Sequence, residues 1–164
     1  MKNPQELILD EDWKKWYSSE EINSKQKKYF SEYILEKIKA NISDSEKLSN
    51  GLFPKQINYY GHKMGFILAE NKLKYSQLRR FVDALKTIDN ISVWKTKKSK
   101  VELFPIQLVH GLARKEELEP FVILIKGIIE RDWIKEPDDF ETLLSLVDSI
   151  TAYFEVFESK EANE

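Results

Sequence analysis

Apolar residues recur every three or four positions along most of this 164-residue chain, and that spacing restricts the fold more than any other feature. It places the apolar side chains on one face of an α-helix, whereas a half-buried strand needs an apolar residue at every second position. No segment shows convincing alternation of that second kind. The helical spacing runs through six segments: 29–42, 57–68, 78–88, 104–112, 121–129 and 140–157. We therefore predict an all-α fold, a compact bundle of five to six helices.

Glycine and proline interrupt these segments only rarely, with five of each in the whole chain. So few turn-forming residues argue against a many-stranded β fold. Helix breaks are predicted over residues 41–54, 71–75, 89–101 and 133–138. Within the segment 57–68, Gly61 and Gly65 break the apolar repeat and weaken the helix prediction there.

The first predicted break is rich in Ser, Asn and Asp and is long enough to be a flexible linker. It divides the chain into unequal parts. We predict an N-terminal helical extension and linker over residues 1–55, a helical-bundle core over 56–158, and a frayed tail over 159–164.

Local signals predict where three of the helices begin. Ser76 is placed to cap the helix that carries the apolar residues from Leu78 onward, and Asp138 with Glu141 three residues later resembles a capping box. Pro105 is acceptable in the first turn of a helix that starts nearby. The lysine-rich stretch 91–101 before it is predicted to be a loop or a ragged helix end.

The absence of cysteine excludes disulfides and thiolate metal sites and is typical of a reducing compartment. The chain shows no apolar stretch near the ~20 residues needed to cross a bilayer, and no signal peptide is recognisable at its start. We therefore expect a cytoplasmic protein without a membrane partner.

Charge is distributed very unevenly, although the net charge is only −2. Residues 1–62 carry 10 basic and 10 acidic side chains, residues 63–115 carry 12 basic and 4 acidic, and residues 116–164 carry 4 basic and 14 acidic. A contiguous basic third is the electrostatic signature of a phosphate-binding surface. The alternative interpretation of this charge distribution is that the basic and acidic parts of the chain form helices that attract each other head to tail.

Twelve polar or basic side chains in this region are the candidates for nucleic-acid contact. They are Lys63, Lys72, Lys74, Gln77, Arg79, Arg80, Lys95, Lys97, Lys98, Lys100, Arg114 and Lys115. The first turn of a helix capped by Ser76 would offer free N–H groups to a phosphate, and Arg79 is expected nearer the buried boundary than Arg80. Trp94 either stacks on a base or anchors the core, and Arg114 with Lys115 either contacts nucleic acid or complements a helix dipole.

Catalytic motifs are missing from the sequence. His62 and His110 lie far apart, with no partner at i+3 or i+4, and His110 has the apolar neighbours of a structural residue. Asp138 and Asp139 stand at a helix start, where carboxylates usually cap the helix rather than bind a cation. We expect no enzyme activity, no metal site and no cofactor.

Three motifs occur in a fixed order: SQLRRF at residues 76–81, LFPIQLVHGLAR at 103–114, and Ala-Tyr-Phe at 152–154. In this order and spacing the chain resembles the Csm-type small subunit of type III-A CRISPR effector complexes. The resemblance covers residues 70–158. The residues before it, which include Trp13, Trp16 and Tyr17, are atypical of that family and are expected to serve contacts between subunits.

The resemblance implies a non-catalytic helical bundle. Several copies of it stack as a minor filament beside the backbone subunits and the CRISPR RNA, and they line the channel that holds the single-stranded target RNA. It also implies that self-association is part of the function, and that the family's arginines correspond to Arg79 and Arg114. His110 stands where that family often has an aromatic residue.

Two other functions remain open from the residues alone. One is a structural adaptor that self-stacks through its acidic and basic faces and has no role in binding RNA. The other is an unrecognised helical enzyme. Association that weakens with salt in the absence of nucleic acid supports the adaptor, and an activity with a mapped residue supports the enzyme.

Overall fold

The structure is a computed structural model that describes the backbone of residues 24–162 and the side chains of residues 29–159. This part of the chain contains no strand and forms six α-helices: α1 (Ser24–Ile42), α2 (Pro54–Glu70), α3 (Tyr75–Asp89), α4 (Trp94–Arg114), α5 (Glu119–Glu130) and α6 (Pro137–Ala162). Single 3₁₀ turns lie at Leu48–Asn50 and Glu116–Leu118. The all-α prediction is confirmed.

The six helices share one hydrophobic core. Four of its largest fully buried side chains are phenylalanines from three helices, Phe104 of α4, Phe121 of α5, and Phe140 and Phe154 of α6. Each such side chain contributes roughly 1.5–3 kcal/mol by leaving water. The core residues come from the predicted apolar faces of the helices, since each helix turns its apolar face inward.

Helices α2 and α6 make the most extensive contact in the described part of the fold. Gly61 and Gly65, which interrupt the apolar repeat of α2, face α6 directly. A Cβ at Gly61 would overlap the Ser149 side chain, and one at Gly65 would lie 2.7 Å from the backbone nitrogen of Phe154. The two glycines therefore interrupt the apolar repeat but are contact positions of a continuous helix, and the helix expected over residues 57–68 is confirmed.

Helix α1 packs on the same core although it precedes the predicted linker. Its residues Ile34 and Ile38 are fully buried, and the hydroxyl of Ser31 donates a hydrogen bond to the carbonyl oxygen of Pro120 at the start of α5 (2.6 Å). The division of the chain near residue 55 stays a prediction. The described part of the region before it contributes to the core of the bundle.

The chain between α1 and α2 is fastened to the start of α6 by Asp139. This fully buried carboxylate accepts hydrogen bonds from the backbone N–H groups of Ser49 (2.9 Å), Lys135 (3.0 Å) and Glu136 (2.9 Å). Asp138, the predicted cap, is exposed and accepts instead from the Lys47 ammonium (3.4 Å). Asp139 therefore takes the place of the predicted cap. Its carboxylate holds the residues just before α6 and also the loop at Ser49.

The predicted break over residues 89–101 is present but shorter than expected, because α3 ends at Asp89 and α4 begins at Trp94. Trp94 packs against the core and Val101 is buried, which gives this lysine-rich stretch its own inward face. Pro105 therefore lies in the interior of α4 rather than in its first turn. Phe104 and Leu108, which are fully buried on either side of Pro105, hold the helix against the core across a residue that lacks an N–H donor.

Candidate nucleic-acid interface

Helices α3 and α4 meet at Gly111, where a Cβ would overlap the ring of Phe81. This close approach leaves a groove between the outer faces of the two helices. One depression in it has a volume of about 350 Å³, and an adjoining one has about 260 Å³. Both are lined by Arg80, Phe81, Gly111 and Arg114. We call the two depressions together the α3–α4 groove.

Four of the twelve candidate residues line the α3–α4 groove. Gln77 and Arg80 come from the first turns of α3, and Arg114 and Lys115 come from the end of α4. The three cations are exposed. Within the described side chains no ion pair engages Arg80, Arg114 or Lys115, so their charges are available to a phosphate.

Arg79, adjacent to Arg80, points away from this group. Its guanidinium lies 3.6 Å from the carboxylate of Asp83, one turn further along α3, and its side chain is 63% exposed. The expectation of a partly buried Arg79 was therefore wrong. Burial and then the Glu155 carboxylate raise the pKa of Tyr75, which Arg79 partly opposes. Tyr75, Arg79 and Asp83 follow one another at four-residue intervals and therefore share one face of α3.

The start of α3 differs from the sequence-based expectation. The helix begins at Tyr75, and Lys74 occupies the capping position with extended backbone angles. The side-chain oxygen of Gln77 accepts a hydrogen bond from the Lys74 N–H (3.1 Å), so Ser76 is not the cap. Ser76 and Gln77 nevertheless line the α3–α4 groove, which places the positive end of the α3 dipole beside it.

The four lysines near the start of α4 do not form a single loop. Lys97 is only 16% exposed, and its ammonium lies 3.5 Å from Asp89 and 5.7 Å from the centre of the Phe140 ring. Lys98 pairs weakly with Glu102 at 4.0 Å. Lys95 and Lys100 are exposed on the outer face of the helix. Lys97 thus serves helix packing, and the outer pair is free to face a ligand.

The remaining candidates lie on or next to α2. Lys63 is 6% exposed, and its ammonium sits 4.9 Å from the centre of the Tyr59 ring. Lys72 and Lys74 are exposed in the turn between α2 and α3, and Lys72 has a left-handed φ of 63°. Because Lys63 is a buried residue in this conformation, it does not belong to the exposed basic surface.

The family model described as Csm2 Type III-A matches residues 52–160, a stretch of 109 residues out of 164. The chain belongs to this family. It is a small subunit of type III-A CRISPR effector complexes, and it associates with other subunits of such a complex. No curated protein and no solved structure matches the chain.

For this Csm2-type subunit, the two arginines that the motif resemblance singled out fall on different surfaces. Arg114 lines the α3–α4 groove, whereas Arg79 pairs with Asp83 on the other side of α3. Their positions in the motifs did not reveal this difference. The neighbour of Arg79 in sequence, Arg80, is the residue that shares the groove with Arg114.

Sequence reasoning missed three groove residues of this Csm2-type subunit. Ile106, Gln107 and His110 line the larger depression and are exposed, so the expectation of a structural His110 was wrong. The signal was present, because the buried residues Phe104 and Leu108 imply that α4 turns these positions outward. Trp94 packs against the core, as in the second of the two interpretations given for it.

The other histidine is a core residue. His62 is 1% exposed, and its ring packs edge-on against Tyr153 (4.5 Å between ring centres) and Phe157 (5.3 Å). In the part of the chain that the structure describes, no group of three or more His, Asp or Glu side chains is arranged to hold a metal ion. None of the helices in that same part is long and apolar enough to cross a membrane.

Proposed function

We propose that this Csm2-type subunit binds single-stranded target RNA and the CRISPR RNA through the basic surface of α3 and α4, without reading their sequence. The observation that carries the proposal is the convergence of Arg80 and Arg114, from two different helices, on one exposed groove. Several copies would present this surface in a minor filament beside the backbone subunits, in the cytoplasm, as part of antiviral defence. The subunit contributes no catalytic residue.

The chemistry of the groove suits a phosphate backbone. A guanidinium offers up to five N–H donors in a fixed plane, which matches the oxygens of a phosphate. Lys115 adds a third positive charge, and the first turn of α3 adds the positive end of a helix dipole. These groups recognise charge and shape, whereas in an RNA-guided complex base pairing with the guide supplies the sequence specificity.

Affinity per copy is expected to be modest because each copy offers few cations. Lys72 and Lys74 in the α2–α3 turn, and Lys95 and Lys100 on α4, extend the positive surface beyond the groove. Several copies bound along one RNA would raise the overall affinity by multivalency rather than by new contacts. A weak isolated site is therefore consistent with a role inside a filament.

Fluorescence anisotropy of the full chain with a labelled single-stranded RNA of ~40 nucleotides, titrated with salt, tests the proposal. We expect the logarithm of the binding constant to fall with the logarithm of salt by about 0.7 for each phosphate contact. The double variant Arg80→Glu/Arg114→Glu should lower the affinity at least tenfold at low salt, because it removes two contacts and adds repulsion.

A matched control variant changes the net charge by the same amount at positions outside the groove. The variant Lys39→Glu/Lys55→Glu alters two exposed lysines of α1 and α2 and should bind RNA within about twofold of the wild type, as expected for non-contacting charges. Equal effects of the two double variants would show that only net charge matters. Unchanged affinity of the Arg80→Glu/Arg114→Glu protein would overturn the proposal.

A second candidate function is self-stacking through opposite charges without RNA. Glu141, Asp148 and Glu155 are exposed at seven-residue intervals along α6, so they share one acidic face that is complementary to α3 and α4. Sedimentation velocity of nucleic-acid-free protein at low and high salt tests it. Oligomers that dissociate with salt support self-stacking, and a monomer at every salt concentration argues against it.

A further inference from the structure

The floor of the α3–α4 groove is apolar, which distinguishes it from the rest of the basic surface. Phe81 is 3% exposed and Gly111 lies directly against its ring, so the base of the groove is carbon. Ile106 adds an exposed aliphatic side chain. Binding a phosphate alone requires no such floor, because charge and hydrogen bonds supply the affinity.

Five of the polar side chains that line the groove carry planar or amide groups. Arg80, Arg114 and His110 present flat guanidinium and imidazole groups, and Gln77 and Gln107 present amides that both donate and accept hydrogen bonds. Flat cations and aromatic rings stack on unpaired bases, and amides can pair with the edge of any base. An apolar concavity with a few polar groups is also the usual composition of a ligand site.

We propose that the α3–α4 groove accepts one unstacked nucleobase of the bound single-stranded RNA while Arg80 and Arg114 engage the flanking phosphates. This inference rests on the proposed function, since the base belongs to the same RNA strand. The volume of the larger depression, about 350 Å³, lies at the lower end of the ~300–1,000 Å³ typical of small-molecule sites. The inserted base fixes the position of each copy on the strand.

Two exposed aliphatic side chains on α4 provide a matched pair of variants. Ile106 lines the groove, and Leu103, one turn earlier on α4, does not line either depression. They are 56% and 54% exposed, so replacing either by lysine leaves the core intact. Ile106→Lys puts a flexible cation where the base would lie, and Leu103→Lys adds the same charge outside.

The experiment compares two labelled 20-nucleotide RNAs with the same number of phosphates. One is oligouridine, and in the other every nucleotide is abasic, so that no base can enter the groove. For the wild type we expect about tenfold weaker binding of the abasic RNA, since stacking of a single base contributes about this factor. Ile106→Lys should bind oligouridine several-fold more weakly and show no preference between the RNAs, whereas Leu103→Lys should keep the preference.

Different outcomes separate the inference from the proposed function. If the wild type binds both RNAs equally and Ile106→Lys strengthens both, the groove contacts phosphates only, and the base site is overturned while the RNA-binding function stands. If neither RNA binds to the wild type even at low salt, the proposed function fails and the base site fails with it. Circular dichroism of each variant confirms that it is folded.

Discussion

Helices α2 and α6 approach each other closely at glycine residues, and so do helices α3 and α4. The two contacts nevertheless serve different purposes. At Gly65 the opposing atoms belong to the backbone and Cβ of α6, as near as 2.7 Å to a Cβ placed there. At Gly111 the opposing atoms are the outer edge of the Phe81 ring. The first contact brings two helix backbones together, and the second leaves a groove between their outer faces.

The neighbours of each glycine decide which of these results. Around Gly61 and Gly65 the side chains of α2 from Tyr60 to Ala69 are all buried, so nothing is left for a ligand. Around Gly111 the outward side chains are long and charged, and Arg80 and Arg114 do not fill the space between the helices. A close helix contact therefore forms a scaffold or a site according to the polarity of the side chains around it.

The largest expected effect is on the scaffold contact. Gly65→Ala should lower the free energy of unfolding by about 3 kcal/mol, because the added methyl group meets backbone atoms that cannot move independently. Gly111→Ala should cost only about 1 kcal/mol, since the Phe81 ring can shift and alanine favours the helix. Urea denaturation of both variants and of the wild type measures these losses in the free energy of unfolding. Equal costs would remove the distinction between the two contacts.

A smaller effect is expected where the scaffold is fastened by hydrogen bonds. Asp139→Ala should lower the free energy of unfolding by about 2 kcal/mol, because three partly buried N–H donors lose their acceptor. Asp138→Ala removes only an exposed ion pair with Lys47 and should cost less than about 1 kcal/mol. Neither change should alter RNA affinity in the folded protein. A clear loss of affinity in Asp139→Ala would show that scaffold and site are coupled.

The smallest effect concerns pH and is absent at neutrality. Burial, with a lesser contribution from Tyr33 and Tyr59, raises the pKa of Tyr60 to about 12 from its ordinary value of 10.0. A raised pKa means that the stability this residue contributes is complete below pH ~10 and is lost as the pH rises towards ~12. Absorbance titration in the near ultraviolet should show a late-ionising tyrosine that Tyr60→Phe removes. Identical titrations of the two proteins would contradict this.

Much of the fold was predictable from local spacing, because a helix depends on contacts three and four residues apart. The buried face of α3, which includes Leu78, Phe81 and Leu85, follows directly from it. The start of α4 did not, since lysines from Lys95 to Lys100 obscured the inward positions of Trp94 and Val101. In the same way Asp138 was a reasonable cap by position, and only the packing of the preceding loop selected Asp139.

Three properties follow from the order of the amino acids alone: the chain is helical, each helix has a recognisable apolar face, and positive charge concentrates between residues 63 and 115. Only the tertiary structure decided which of those charges meet. It brought Arg80 together with Arg114, turned Arg79 towards Asp83, and folded Lys97 onto Asp89. The physical reason is that helix periodicity is local, whereas neighbours on different helices depend on how every side chain packs in the shared core.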